Sequence, residues 1–178
     1  MPPFFDHLGV FVLYLFVDAL ALPIASTVYV AYMGERYSPV LVAALGALAT
    51  AAGSVAQYLV VRWLLAHPSL QWGWLVRLRA RASGLVDGAG HATFWTLFVI
   101  YATPLGAGPL RLIAAAAGYP LPRFAAAIAL GCLPYYAAVA WIGSAVKLPA
   151  WVYAVAIVAS IAVGVVVWMS RRARERAS

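Results

Sequence analysis

The stretch PVLVAALGALATAAGSVAQYLVV, residues 39–61, carries no charged side chain and is long enough for a helix to cross a bilayer, which takes about 20 residues. It shows no alternation of apolar and polar residues, the pattern that indicates a half-buried strand. A helix also satisfies all its backbone hydrogen-bonding groups internally, as lipid requires. We therefore predict a transmembrane helix over residues 39–65.

The composition of the whole chain supports this interpretation. Of its 178 residues 66% are hydrophobic and only 10% are charged, against roughly 25% charged residues in soluble domains. A soluble fold of this size could not bury so much apolar surface, which excludes an ordinary soluble enzyme and a disordered chain. We predict a single all-α integral membrane domain over residues 1–178, without enzymatic activity.

The sequence lacks the usual signatures of metal and cofactor chemistry. Cys132 is the only cysteine, so the chain has neither a disulfide framework nor a cysteine-ligated zinc site. The three histidines lie far apart in the sequence, and no glycine-rich phosphate loop is present. We expect no metal and no cofactor.

The other apolar segments fall into two classes. Residues 122–146 and 149–170 are long enough to span a bilayer, whereas residues 8–38 and 92–121 are broken into shorter arms. We interpret the broken segments as re-entrant hairpins, although their prolines could instead kink ordinary spanning helices. The predicted hairpin turns are Pro23, Pro104, Gly106, Gly108 and Pro109.

The arginine distribution gives an orientation to these segments. Arginines cluster in the linker, residues 66–91, and in the tail, residues 171–178, so the positive-inside rule places both in the cytoplasm. The clustered residues are Arg77, Arg79, Arg81, Arg171, Arg172, Arg174 and Arg176, with Arg62 just before the linker. A hairpin followed by a span then occurs twice in opposite orientations. The sequence thus predicts an inverted repeat of residues 8–65 and 92–146, with an extra C-terminal transmembrane helix.

Two ionisable residues lie inside the apolar hairpin segments. Such residues are costly in a membrane and mark transport pathways. Asp18 is a candidate proton relay, and Arg111 is a candidate ligand for a headgroup phosphate. The two could also form an ion pair, Asp18 could be an interfacial carboxylate, and Arg111 could extend to the surface. Polar residues that could line a cavity or join helices are Ser26, Thr27, Thr103 and Gln57.

Several motifs resemble the DedA family, also called the VTT or SNARE-associated domain family. The first half resembles the family's first hairpin through Asp18 and Leu22-Pro23-Ile24-Ala25-Ser26. The second half resembles the family through Thr103-Pro104, Gly118-Tyr119-Pro120-Leu121-Pro122-Arg123-Phe124, Gly131-Cys132-Leu133-Pro134 and Trp141-Ile142-Gly143.

The resemblance implies two facing re-entrant hairpins and lipid translocation. Bacterial members of the family are linked to recycling of the polyprenyl phosphate carrier, and eukaryotic relatives look like phospholipid scramblases. We therefore expect a multi-pass flippase or scramblase of the bacterial inner membrane, with a cytoplasmic C-terminus. Its expected partners are membrane lipids rather than nucleic acid, and homo-oligomerisation is left open. The alternatives are an ion-coupled small-solute transporter and a non-transporting membrane scaffold.

The chain departs from the family pattern at two places. Many bacterial members have an acidic residue just after the first proline-rich turn, where this chain has Ala25-Ser26. Many also have two arginines in the second hairpin, where this chain has only Arg111, with Tyr101 or Thr103 near the other position. These departures imply weaker proton coupling and a less selective scramblase.

Overall fold

The described part of the chain is entirely helical. A computed structural model describes residues 7–20, 26–67, 90–103 and 108–146, together with residues 152 and 155. The predicted C-terminal helix over 149–170, the tail over 171–178, most of the linker over 66–91 and the predicted turn residues Pro23, Pro104 and Gly106 lie outside the described residues. The helices are α1 (Leu8–Leu20), α2 (Ser26–Arg36), α3 (Pro39–Ala66), α4 (Gly90–Tyr101), α5 (Gly108–Ala116) and α6 (Leu121–Ala145).

Two of these helices are long and apolar enough to cross a bilayer. Helix α3 has 28 residues and α6 has 25 residues. Each has a proline in its first turn, where the missing N–H group would have no intrahelical acceptor. The prediction of an all-helical chain with apolar spans is confirmed for the described residues.

The remaining four helices are too short to span a bilayer. Helices α1, α2, α4 and α5 have 13, 11, 12 and 9 residues, whereas a spanning helix needs about 20. The breaks between α1 and α2 and between α4 and α5 fall where the sequence predicted hairpin turns. Gly108 and Pro109, predicted as turn residues, form the start of α5.

The short helices pack on the long ones in a reciprocal pattern. Helices α3 and α6 form the central pair. The first short helix of each half packs on its own long helix, which places α1 on α3 and α4 on α6. The second short helix packs on the long helix of the other half, which places α2 on α6 and α5 on α3. The two halves therefore interlock, and residues distant in sequence meet between them.

Glycines allow this packing to be close in both halves. In each half, one glycine of the long helix faces a short helix. A Cβ atom on this glycine would overlap the carbonyl oxygen of a phenylalanine and the side chain three positions after that phenylalanine. The contacts are Gly53 with Phe16 and Ala19 in the first half, and Gly131 with Phe98 and Tyr101 in the second half.

Helices α2 and α6 approach each other in the same way. A Cβ atom on Gly34 would overlap the backbone of Ala140, and one on Gly143 would overlap the backbone of Ala31. Small residues at helix crossings let the backbones approach closely, which is the main source of helix association in lipid.

Candidate functional site

Arg111 is the charged side chain that the fold buries, and it lies in the first half of α5. Its exposed fraction is 7%, and it is the only ionised side chain among the buried described residues. A cation out of water costs several kcal/mol unless partners compensate for its lost hydration. The guanidinium thus lies among the helices, and the side chain does not extend to the surface.

Two neutral groups accept hydrogen bonds from Arg111. Its Nη1 donates to the Ala19 carbonyl oxygen at 2.6 Å and, more weakly, to the Ser54 hydroxyl at 3.5 Å. Ala19 lies in the last turn of α1, whose carbonyls lack intrahelical donors and carry the partial negative charge of the helix end. Arg111 therefore joins α5 to both α1 and α3.

Asp18 lies on the same end of α1, immediately before the carbonyl that Arg111 binds. Its side chain is half-buried. In the part of the chain that the structure describes, the two hydrogen-bond acceptors of Arg111 are neutral groups, not the Asp18 carboxylate. The structure thus brings Asp18 and Arg111 to the same end of α1, where Ala19 follows Asp18 and accepts the hydrogen bond from Arg111.

Three buried polar atoms around this position have no hydrogen-bond partner among the described residues. They are Arg111 Nε, the Tyr101 hydroxyl and Gln57 Oε1. The Arg111 guanidinium carbon lies 6.0 Å from the centre of the Tyr101 ring. Gln57 follows Ser54 by three positions on α3, so both lie on the same face of that helix. The site therefore holds two unused donors, Arg111 Nε and the Tyr101 hydroxyl, and one unused acceptor, Gln57 Oε1.

The C-terminal end of α5 is fixed to α3, which sets the position of Arg111. The Tyr119 N–H donates to the Ala114 carbonyl at 3.0 Å and the Gly118 N–H to the Ala115 carbonyl at 3.2 Å, the pattern of a Schellman motif. Gly118 adopts the left-handed φ of +74° that this motif requires. The Tyr58 hydroxyl then donates to the Tyr119 carbonyl at 2.7 Å.

The predicted cavity residues have different environments. The Thr27 hydroxyl bonds to the Tyr135 hydroxyl at 2.8 Å and joins α2 to α6. The Thr103 hydroxyl donates to carbonyls of its own helix, at 3.0 Å and 3.1 Å. Ser26 is the first residue of α2 and is half-buried. Of the four candidates, only Gln57 lies on the helix face that carries Ser54.

Sequence reasoning did not place Ser54 or Tyr101 beside Arg111. A signal for Ser54 was present, because Ser54 and Gln57 are polar residues at helical spacing within an otherwise apolar stretch. For Tyr101 the family resemblance offered only a choice between Tyr101 and Thr103, because the contact of Tyr101 with Arg111 depends on how α4 and α5 meet.

An apolar groove of about 370 Å³ lies between α1 and α3. Phe16, which lines the groove, precedes Ala19 by three positions on α1. The lining residues are Gly9, Val12, Leu13, Phe16, Leu45, Leu48, Ala49 and Ala52. A hydrocarbon chain matches this lining, because it offers no polar partner.

Comparison with protein families matched a model described as the VTT domain to residues 22–145. The match covers α2 to α6 and includes Arg111, Ser54 and Tyr101, whereas α1 and Asp18 precede it. It confirms the family predicted from the sequence motifs. Comparisons with curated proteins and with solved structures gave no match.

Proposed function

The chain belongs to the family defined by the VTT domain, the domain of the DedA proteins, and from this premise we propose that it is a lipid transporter. It acts as a flippase or scramblase for polyprenyl phosphate or phospholipid in the bacterial inner membrane. Its C-terminus is cytoplasmic. The phosphate of the lipid binds at Arg111, and the hydrocarbon chains stay in the apolar phase.

The observation that carries this proposal is the buried Arg111 with an unused donor. A guanidinium binds phosphate oxygens through directed, charge-assisted hydrogen bonds. Nη1 of Arg111 is held by Ala19 and Ser54, while its Nε has no acceptor among the described residues. A phosphate oxygen is an acceptor of suitable charge for this position.

The groove between α1 and α3 favours a lipid over a hydrophilic solute. All eight residues that line it are apolar or glycine. A transported sugar or amino acid would leave its own polar groups without partners there, at a cost of about 1–3 kcal/mol for each group. A lipid combines a phosphate for Arg111 with a chain for the groove.

We propose that the two halves form an inverted repeat of re-entrant hairpins. The shortness of α1, α2, α4 and α5, the reciprocal packing of the halves and the matched contacts of Gly53 and Gly131 support this arrangement. Cysteine labelling of intact cells tests it in a Cys132→Ala background. The scheme predicts that Ser38→Cys reacts with an impermeant maleimide from outside and that His67→Cys reacts only after lysis. Labelling of both from the same side would contradict the inverted scheme.

Asp18 is proposed to relay a proton during transport. Asp18 directly precedes Ala19, whose carbonyl Arg111 binds, so a change in its charge would alter the local field on the phosphate site. Asp18→Asn should therefore remove the pH dependence of translocation. If the variant keeps the pH profile of the wild type, Asp18 has no role in proton coupling.

Reconstitution into liposomes tests the proposed function. Translocation of fluorescent phospholipid and of fluorescent polyprenyl phosphate is followed for wild type, Asp18→Asn and Arg111→Ala at two pH values. The proposal predicts transport of at least one lipid by wild type and its loss in Arg111→Ala. Solute uptake into sealed vesicles without lipid movement would instead indicate a solute transporter. Activity in cells that survives a charge swap of Asp18 and Arg111 would indicate a scaffold.

A further inference from the structure

The Tyr101 hydroxyl is an unused donor beside the unused Nε of Arg111. Tyr101 is 8% exposed, and its hydroxyl and Arg111 Nε are both buried without hydrogen-bond partners among the described residues. The Ser54 hydroxyl and the Arg111 guanidinium both lie close to the Tyr101 side chain. A buried donor without an acceptor is destabilising. Two such donors on neighbouring side chains therefore indicate that the site lacks an acceptor.

Thr103, the other residue that the sequence offered near this position, already uses its hydroxyl in hydrogen bonds. The Thr103 hydroxyl, two positions later, donates to the Val99 and Ile100 carbonyls. Hydroxyl groups of threonine commonly bond to carbonyls one turn earlier in their own helix. Tyr101 is therefore the residue of this segment whose hydroxyl is free for a ligand within the described structure.

We propose that the Tyr101 hydroxyl and the Arg111 guanidinium together bind one phosphodiester group of a phospholipid. This inference rests on the proposed function and assigns the lipid class and a second ligand-binding residue. Arg111 supplies the positive charge, and Tyr101 supplies a neutral donor that fixes the orientation of the phosphate.

The charge of the site favours a phosphodiester over a phosphate monoester. Arg111 is the one buried cation among the described residues. Its charge is already partly compensated by the C-terminal end of α1, which carries a partial negative charge. The half-buried Asp18 lies on the same helix end. A phosphodiester carries one negative charge, whereas a monoester carries nearly two above its second pKa of about 6. The second charge would be poorly compensated here.

Ligand binding by the purified full chain in detergent tests the proposal. The probes are short-chain phosphatidylglycerol as a phosphodiester lipid, farnesyl phosphate as a monoester lipid, and inorganic phosphate as a free anion, all at pH 8. Calorimetry gives the affinities for wild type and Tyr101→Phe. Tyr136→Phe is the matched control, because the buried Tyr136 hydroxyl is already bonded to Thr50 at 2.9 Å.

The expected results separate a ligand donor from a structural hydroxyl. Wild type should bind phosphatidylglycerol several-fold more tightly than farnesyl phosphate. Tyr101→Phe should weaken the phosphatidylglycerol affinity about tenfold, the value of one modest hydrogen bond, without lowering the melting temperature. Tyr136→Phe should lower the melting temperature and keep the affinity.

Four results would overturn the inference. A Tyr101→Phe variant that melts earlier but binds the lipid normally would show that the hydroxyl holds a structural water. Tighter binding of farnesyl phosphate would refute the phosphodiester assignment, and equal binding of inorganic phosphate would make free anion the ligand. If wild type neither binds nor moves a phosphate lipid, the proposed function itself fails. Lipid transport that is unaffected in Tyr101→Phe removes only this inference.

Discussion

Replacing Arg111 with methionine should abolish lipid translocation with little change in the stability of the fold. Methionine has a similar length but no charge, so it leaves a smaller cavity than alanine. The loss of the 2.6 Å bond to the Ala19 carbonyl costs about 1.5–3 kcal/mol. Removing a buried cation with an unpartnered Nε recovers its desolvation, and exchanges of this kind are often neutral or stabilising by about 1–4 kcal/mol.

The recovered desolvation offsets the lost hydrogen bond, so the net change in the free energy of unfolding should lie within about 2 kcal/mol of zero. For chains of this size 1 kcal/mol shifts the melting temperature by about 2–4 °C, so the melting temperature should change by no more than about 8 °C. The assays are thermal unfolding in detergent, followed by tryptophan fluorescence, and lipid translocation in proteoliposomes. If Arg111 is kept for function, the variant should combine nearly unchanged stability with lost transport.

Arg111→Lys is the control, because it keeps the charge but not the planar group of donors. It should retain part of the translocation that Arg111→Met loses. If Arg111→Met melts more than about 8 °C below wild type and still translocates lipid, the guanidinium is a structural link between α1, α3 and α5 and does not bind the lipid phosphate.

Three further substitutions test the packing and the groove. Gly143→Leu places a side chain against the Ala31 backbone and should destabilise the α2–α6 contact by several kcal/mol, seen as loss of monodisperse protein in gel filtration. Gly118→Ala should lower stability by about 1–2 kcal/mol in thermal unfolding, because φ is +74° and a Cβ atom would press on Arg62. Gly9→Leu should keep the melting temperature, because a Cβ atom there meets no described atom within 4 Å, yet it should slow lipid translocation several-fold by filling the groove. Unchanged translocation in Gly9→Leu would show that lipid chains do not use this groove.

The sequence predicted the helices where local information determines them. The uncharged stretch 39–61 indicated α3 because the length and hydropathy of a spanning helix are local properties. The ends of α1 at Leu20 and of α4 at Tyr101 were also predictable, because Pro23 and Pro104 follow closely in the sequence and proline disrupts the hydrogen bonds of a continuing helix. The motifs around Pro104 and Gly131 indicated the family, which the VTT domain match over residues 22–145 confirms.

The partners of Arg111 could not be predicted in the same way. The sequence singled out Arg111 because a charge in an apolar segment is conspicuous. Its acceptors, however, are 92 and 57 positions away in the chain, on helices whose relative placement depends on the whole packing. For the same reason the sequence left both Tyr101 and Thr103 open, and the local bonds of Thr103 distinguish them only once the backbone is known.

Photo-crosslinking shows directly whether a lipid phosphate binds beside Arg111. The probe is a phospholipid with a diazirine next to its phosphate, added to proteoliposomes of the wild-type chain and mapped by mass spectrometry. We expect crosslinks on α3 around Ser54 and on α5 around Arg111, and their loss in Arg111→Met. Crosslinks confined to exposed side chains away from the site and the groove, such as Val60 and Trp141, or unchanged in Arg111→Met, would refute binding at Arg111.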